Sequence, residues 1–186
     1  ALAITGVNIT NTNTITGDAN GISLNAGTGT LTSTAGNITN GGSAGAISLI
    51  ADTDIVLAGG AGAITGGSGN VTLKDSAGSV TIAIGGGTGT ITIADADLDE
   101  ISTTGAIIIG DSNTGAIEVG GAVSIGSTAL NLISSGGVTL SNTVSSGALT
   151  ITNAGTLTIA AGGDISLSDA FTQNGAGTVS TAGDIV

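Results

Sequence analysis

Asp95, Asp97, Asp99 and Glu100 form the densest group of chemically capable side chains in the sequence. In an extended segment, residues at i, i+2 and i+4 share one face, so the three aspartates would converge with Glu100 beside them. Such a set suits a hard cation, and Ca2+ is the candidate ligand. The spacing departs from an EF-hand loop, because Glu100 stands where that loop needs Gly and Ala106 where it needs a bidentate Glu. The competing reading is an exposed acidic turn that binds nothing. Asp52 and Asp54 are a smaller pair of the same kind.

Catalytic chemistry has little to draw on. His, Cys, Tyr and Trp are absent, and Lys74 is the single basic side chain. Ser-His-Asp triads, thiolate nucleophiles and imidazole or thiolate metal ligands are therefore excluded. Two carboxylates can hydrolyse a glycoside, but the acids are scattered and Phe171 is the one aromatic ring available to hold a sugar. The expectation is a protein that is not an enzyme and uses no cofactor, Ca2+ apart. A net charge of −12 argues against nucleic acid and against anionic lipid. No apolar run is long enough to insert in a membrane, and no basic segment followed by an apolar stretch reads as a signal peptide.

Three glycine-rich stretches, Gly59–Ile64, Gly66–Val71 and Gly86–Ile91, open like calcium β-roll repeats. The Asp ligand of that motif is replaced by Ile64, Val71 and Ile91, which leaves glycine turns. Thr10, Thr12, Thr14 and Thr16 alternate, as do Thr28, Thr30, Thr32 and Thr34. Such ranks occur on ice-binding solenoids, but here they do not recur at one fixed place per coil, and β-propensity of Thr is the competing explanation. Asn8, Asn37 and Asn70 begin Asn-x-Thr sequons, which arise readily by chance in this composition.

These residues are carried by a phrase that recurs from end to end. Gly21-Ile22-Ser23-Leu24, Ala46-Ile47-Ser48-Leu49, Asn70-Val71-Thr72-Leu73, Ser79-Val80-Thr81-Ile82 and Thr90-Ile91-Thr92-Ile93 are early copies. Gly137-Val138-Thr139-Leu140, Ala148-Leu149-Thr150-Ile151, Thr156-Leu157-Thr158-Ile159 and Asp164-Ile165-Ser166-Leu167 follow. Each is a short strand of period two, with the branched apolar residues inward and the hydroxyl outward. Apolar phrases start at Ile22, Leu31, Ile38, Ile47, Ile55, Ile64, Val71, Val80 and Ile91. Every third start suggests a coil of ~24 residues with three strands. The chain then holds about 8 coils and makes a rod roughly 40 Å long.

Composition agrees with a narrow, regular interior: 35 glycines, no Pro, no Met and one aromatic residue. Pro would remove a ladder donor from a central strand. The phrasing loosens at 94–121, at 141–147 and around Phe171, which predicts longer turns or bulges there. No stretch reads as a helix. The expected fold is all-β, a parallel right-handed β-helix over residues 1–186 as one continuous segment, and the mid-phrase ends suggest an internal piece of a longer repetitive protein.

Ala46-Ile47-Ser48-Leu49, Gly155-Thr156-Leu157-Thr158-Ile159 and Ala161-Gly162-Gly163-Asp164-Ile165-Ser166-Leu167 resemble the repeats of filamentous-haemagglutinin-type proteins. The resemblance covers essentially the whole chain and implies a large right-handed parallel β-helix exported to the bacterial cell surface. It implies an extracellular adhesive shaft, with a subunit of a filament, sheath or coat as the alternative, and a Ca2+- or ice-binding solenoid as the third reading. The implied partners are other copies or neighbouring repeats and a ligand on a host or neighbouring cell. The secretion domain of that family has no counterpart in this sequence.

Overall fold

Alternation of branched apolar and small polar residues makes strands, and glycine between them makes corners. The computed structural model describes all residues, 1–186, and winds them into a β-solenoid of about eight coils with three sides. The first coil holds β1 (Leu2–Thr5), β2 (Ile9–Asn11) and β3 (Ile15–Thr16). The second holds β4 (Ile22–Asn25), β5 (Thr30–Ser33) and β6 (Ile38–Thr39), and the third β7 (Ile47–Ile50), β8 (Asp54–Leu57) and β9 (Ile64–Gly67). The fourth is longer, with β10 (Val71–Lys74), β11 (Ile82–Ile84), β12 (Ile91–Ile93), a short helix α1 (Asp95–Asp99) and β13 (Ile101–Thr103). Then come β14 (Ala106–Gly110), β15 (Ile117–Val119) and β16 (Val123–Ser124), followed by β17 (Ala129–Ser134), β18 (Val138–Leu140) and β19 (Val144–Ser146). The seventh coil holds β20 (Leu149–Asn153), β21 (Leu157–Ile159) and β22 (Ile165–Leu167), and the eighth β23 (Phe171–Asn174) and β24 (Val179–Thr181).

Every ladder is parallel. One strand per coil builds the first side as an unbroken sheet of eight, β1-β4-β7-β10-β14-β17-β20-β23. Its register pairs Leu2 with Ile22, Ile22 with Ile47, Ile47 with Val71, Val71 with Ile107, Ile107 with Leu130, Leu130 with Leu149 and Leu149 with Phe171. Successive coils therefore take 20, 25, 24, 36, 23, 19 and 22 residues. The expected starts Ile22, Ile47 and Val71 lie on this one side. Inside runs a single core of 34 buried residues, all Ile, Leu, Val or Ala. Stacking like residues in ranks fills so narrow an interior without aromatic rings, and Phe171 only packs against its end.

The fourth coil breaks the pattern, 11 to 17 residues longer than the others. Here the strand is not Val80-Thr81-Ile82, as the phrase suggests, but Ile82-Ala83-Ile84. Residues 85–90 then turn back and lay β12 beside β11 in parallel, pairing Ile82 with Ile91. A parallel connection usually needs a dozen or more residues. Six suffice because Gly85, Gly86 and Gly87 adopt φ of 70°, 134° and 109°, which L side chains rarely tolerate. The return path crosses the outer surface of β11. A Cβ on Gly89 would lie 2.5 Å from the Ala83 nitrogen, and Ala83 is fully buried although it holds the outward position. Most other phrases put Ser or Thr there; a bare methyl is what the crossing segment permits.

β12 is thus wedged between β8 and β11, out of chain order. The second side carries nine strands, in separate sheets β2-β5-β8 and β12-β11-β15-β18-β21-β24. The third side carries seven, split into β3-β6-β9-β13 and β16-β19-β22. Only the first side joins the two halves by continuous backbone pairing. The other expected irregularities are milder: 141–147 contains the regular strand β19, and Phe171 opens β23 on the first side.

If the crossing segment selects the methyl, restoring the phrase should harm the protein. Ala83→Thr is expected to destabilise by about 1–3 kcal/mol through overpacking. Thr139→Ala, at the equivalent outward position of β18, is expected to stay within about 0.5 kcal/mol. Urea denaturation of the two variants checks this.

Candidate functional site

The acidic segment is helical, not extended. Asp-Ala-Asp-Leu-Asp contains no β-branched residue, unlike the Ile-, Val- and Thr-rich phrases on either side, so nothing in it resists a helical turn. Leu98 points inward and is 1 % exposed, which fills the core where the third side lacks a strand between β13 and β16. The helix corrects the expectation that no stretch would be helical. It also removes the strand face on which Asp95, Asp97 and Asp99 were to converge.

Each carboxylate in and beside α1 except that of Asp99 holds a backbone N–H. Asp95 Oδ1 accepts from Ser124 at 2.8 Å, across the break in the third side. Asp97 Oδ2 accepts from Ala94 at 2.7 Å and closes the start of the helix. Glu100, 6 % exposed, accepts from Gly59 at 2.9 Å through Oε2. Asp99 is exposed on the outer surface. No three Asp or Glu side chains in the structure are grouped as ligands for a metal ion.

The same use of acids extends along the rod. Asp54 Oδ1 accepts from Thr92 at 3.1 Å, where β8 and β12 meet without a ladder. Asp52 takes the N–H groups of Ser76 at 2.6 Å and Ala77 at 3.1 Å, and Asp164 takes that of Asp184 at 3.0 Å. Asn8 and Asn70, the first residues of two sequons, likewise accept from Thr30 and Ala106 in the next coil, both at 2.9 Å. With Asp18, Asp111 and Asp169, nine of the 13 acids bind a backbone N–H. Much of the acidity is therefore structural: Asp52, Asp54, Asp95, Glu100 and Asp164 supply acceptors between coils, and Asp18, Asp97, Asp111 and Asp169 supply them within their own turns.

Three of the acids crowd together. Asp97 has its carboxyl raised above the ordinary range, first by burial and then by the charges of Glu100 and Asp54, partly offset by the Ala94 N–H. Asp111 is lowered: burial alone would raise it, but hydrogen bonds from Lys74 and Asn113 outweigh that, and Lys74 Nζ lies 2.7 Å from Oδ2. Asp75, buried at 2 % exposure, is bonded by the Thr114 hydroxyl.

The other sequence candidates fall on corners and outer columns. Gly86-Gly87-Thr88-Gly89 is the crossover itself, and Gly66 and Gly67 end β9. Thr10 and Thr32 stack in register on the second side, while Thr12, Thr14, Thr28 and Thr34 belong to turns. The third side has hydroxyl columns that alternation within single strands does not reveal: Thr16, Thr39, Thr65 and Ser102 on one side of its break, and Ser124, Ser145 and Ser166 on the other, one hydroxyl residue per coil. Only the coil register displays them. The surface depressions are shallow, and none brings two titratable side chains together. No family model, no curated protein and no solved structure matches this chain.

The two shifted aspartates act in opposite directions. The raised value of Asp97 gives stability that is present in acid and lost as pH rises through that value. The lowered value of Asp111 gives stability that is present at neutral pH and lost as pH falls through its value. Asp97→Asn keeps the acceptor for Ala94 and is expected to raise the urea midpoint at neutral pH, with less change in acid. Asp111→Asn is expected to lower the midpoint at neutral pH and flatten its fall in acid. Urea titrations across the carboxylate range read both.

Proposed function

We propose that this chain is the structural and adhesive shaft of a large extracellular protein of the filamentous-haemagglutinin type, carried on a bacterial surface. The observation that supports the reading best is the unbroken eight-stranded sheet running the length of the rod. Each coil adds about 4.8 Å of length and repeats the same outer chemistry of hydroxyls, amides and carboxylates. A column of Ser and Thr repeated coil after coil presents itself to a partner as a line rather than a pocket. Lys74 is the one cleavage point for trypsin-like proteases, and it is tied to Asp111, which suits exposure outside a cell.

The partners proposed with it are neighbouring repeats or other copies, and a ligand on another cell. Enzyme activity, nucleic acid binding and membrane insertion have no place in the reading. A second reading, a subunit of a self-assembling filament or coat, draws on the Ser and Thr columns along the outer surface.

Immunogold electron microscopy of the source cells, with an antibody to this chain, tests the proposal. Thin isolated fibres projecting from the surface are expected. A continuous coat or shed bundles would favour the second reading, and labelling confined to the cell interior would overturn both.

A further inference from the structure

Most junctions between coils are closed by a parallel ladder on each of the three sides, but the two around the fourth coil are not. Between the third and fourth coils the second side lacks its ladder, because β8 and β12 lie side by side unpaired. Between the fourth and fifth the third side lacks its own, because β13 pairs only with β9 and β16 only with β19. The two gaps make one stepped seam. Before α1, β12 is paired to β11 and so to the later coils; after α1, β13 is paired to β9 and so to the earlier ones. The helix therefore crosses the seam from one half of the rod to the other. Over the same stretch the first side is unbroken, with Val71, Thr72 and Leu73 of β10 paired to Ile107, Ile108 and Ile109 of β14. Its corners are tied as well, by Lys74 to Asp111 at 2.7 Å and by the Ala106 N–H to Asn70 at 2.9 Å.

Away from the first side, carboxylates close the seam where ladder carbonyls would. Asp54 of β8 accepts from the Thr92 N–H of β12 at 3.1 Å. Asp95, the first residue of α1, accepts from the Ser124 N–H of β16 at 2.8 Å and so grips the later half. Glu100, just past the end of α1, accepts from the Gly59 N–H at 2.9 Å and grips the earlier half. Packing is looser here too: a surface hollow of about 250 Å3 opens on the seam, between Thr103, Thr104 and Gly105 of one coil and Ser127, Thr128 and Ala129 of another. A few side-chain bonds and a hollow resist local opening less than a packed ladder does.

We propose that the fourth coil is a bend point of the rod: the rod flexes about β10 and β14 of the first side, the seam widens on the other two sides, and α1 is the strap that limits the opening. The inference rests on reading the chain as a rod, and it gives the shaft one compliant joint between two stiff halves. Within each half a bend in any direction has to stretch a backbone ladder. At the seam, a bend that opens the second and third sides stretches only carboxylate bonds, and the side chains that make them can follow by turning about their own torsions. The strap has slack to give. Five helical residues span ~7.5 Å, and the same five extended span ~16 Å. A helix this short has little stability of its own, so it can lengthen while Asp95 and Glu100 keep their hold.

Distances between pairs of spin labels, measured by pulsed electron paramagnetic resonance, test this. The chain has no Cys, so labels attach only where thiols are introduced. Thr39→Cys with Ser166→Cys reads the third side across the seam. Ser23→Cys with Thr150→Cys reads the first side between the same two coils, five strands or ~24 Å apart. The third-side distribution is expected to be at least twofold broader than the first-side one. Asp95→Ala should broaden it further and shift it to longer distance, with the first-side pair unchanged. Asp95→Asn, which keeps an acceptor for Ser124, should stay close to the unsubstituted chain. Melting curves of each variant separate loss of fold from loosening of the seam. Equally narrow distributions on both sides, an Asp95→Ala variant that changes neither pair or both alike, or an Asp95→Asn variant as broad as Asp95→Ala would each overturn the bend point. Narrow distributions on both sides would leave the shaft reading standing, whereas broad ones on both would remove the rod and the bend point together.

Discussion

A backbone N–H in one coil has to find its acceptor in the coil beside it. The strands are too short and the interior too narrow to offer another partner, and an unpaired buried N–H costs about as much as the bond it lacks. Of the 105 backbone hydrogen bonds, those that join successive coils set the strand register, and the register sets everything else. It brings Ile over Ile in the core, Ser and Thr into outer columns, and glycine to corners where chains approach too closely for a Cβ.

The constraint is most visible where it is hardest to meet. Wedging β12 between β8 and β11 gives the second side one strand more than the first, so the coils on either side of the fourth cannot stay in register all the way round. The mismatch leaves Thr92, Ser124 and Gly59 without ladder carbonyls, and Asp54, Asp95 and Glu100 take their N–H groups instead. Asp97 is raised there by burial first, and the carboxylates of Glu100 and Asp54 beside it add to the cost. The acidic segment therefore patches the break in the third side, and the first side carries the backbone continuity.

Much of the fold was legible because the repeating phrase encodes it directly. Ile22, Ile47 and Val71 share one side as their spacing implied, and the three-strand coil follows from those positions. What escaped was set by pairing between distant segments. Asp95–Asp99 alternates like a strand, yet Leu98 is drawn inward as part of a helix because the third side has a gap to fill. The signals were present in the sequence: Ala83 stands where Ser or Thr is usual, and four glycines crowd residues 85–89. The hydroxyl columns of the third side could not be read before the coil lengths were known, since coils of 19 to 36 residues put no fixed spacing between their members.

Hydrogen exchange resolved amide by amide tests the central claim, that coil-to-coil backbone pairing holds the rod together and is continuous only along the first side. The account predicts that the amides of Leu73 in β10 and Ile108 in β14, which face each other's strand, exchange at the slow, shared rate of the rod's interior. The amides of Thr92 and Ser124, held by carboxylates alone, should exchange at least tenfold faster. Equal protection of all four would contradict it, because the fourth coil would then be joined as firmly on the second and third sides as on the first.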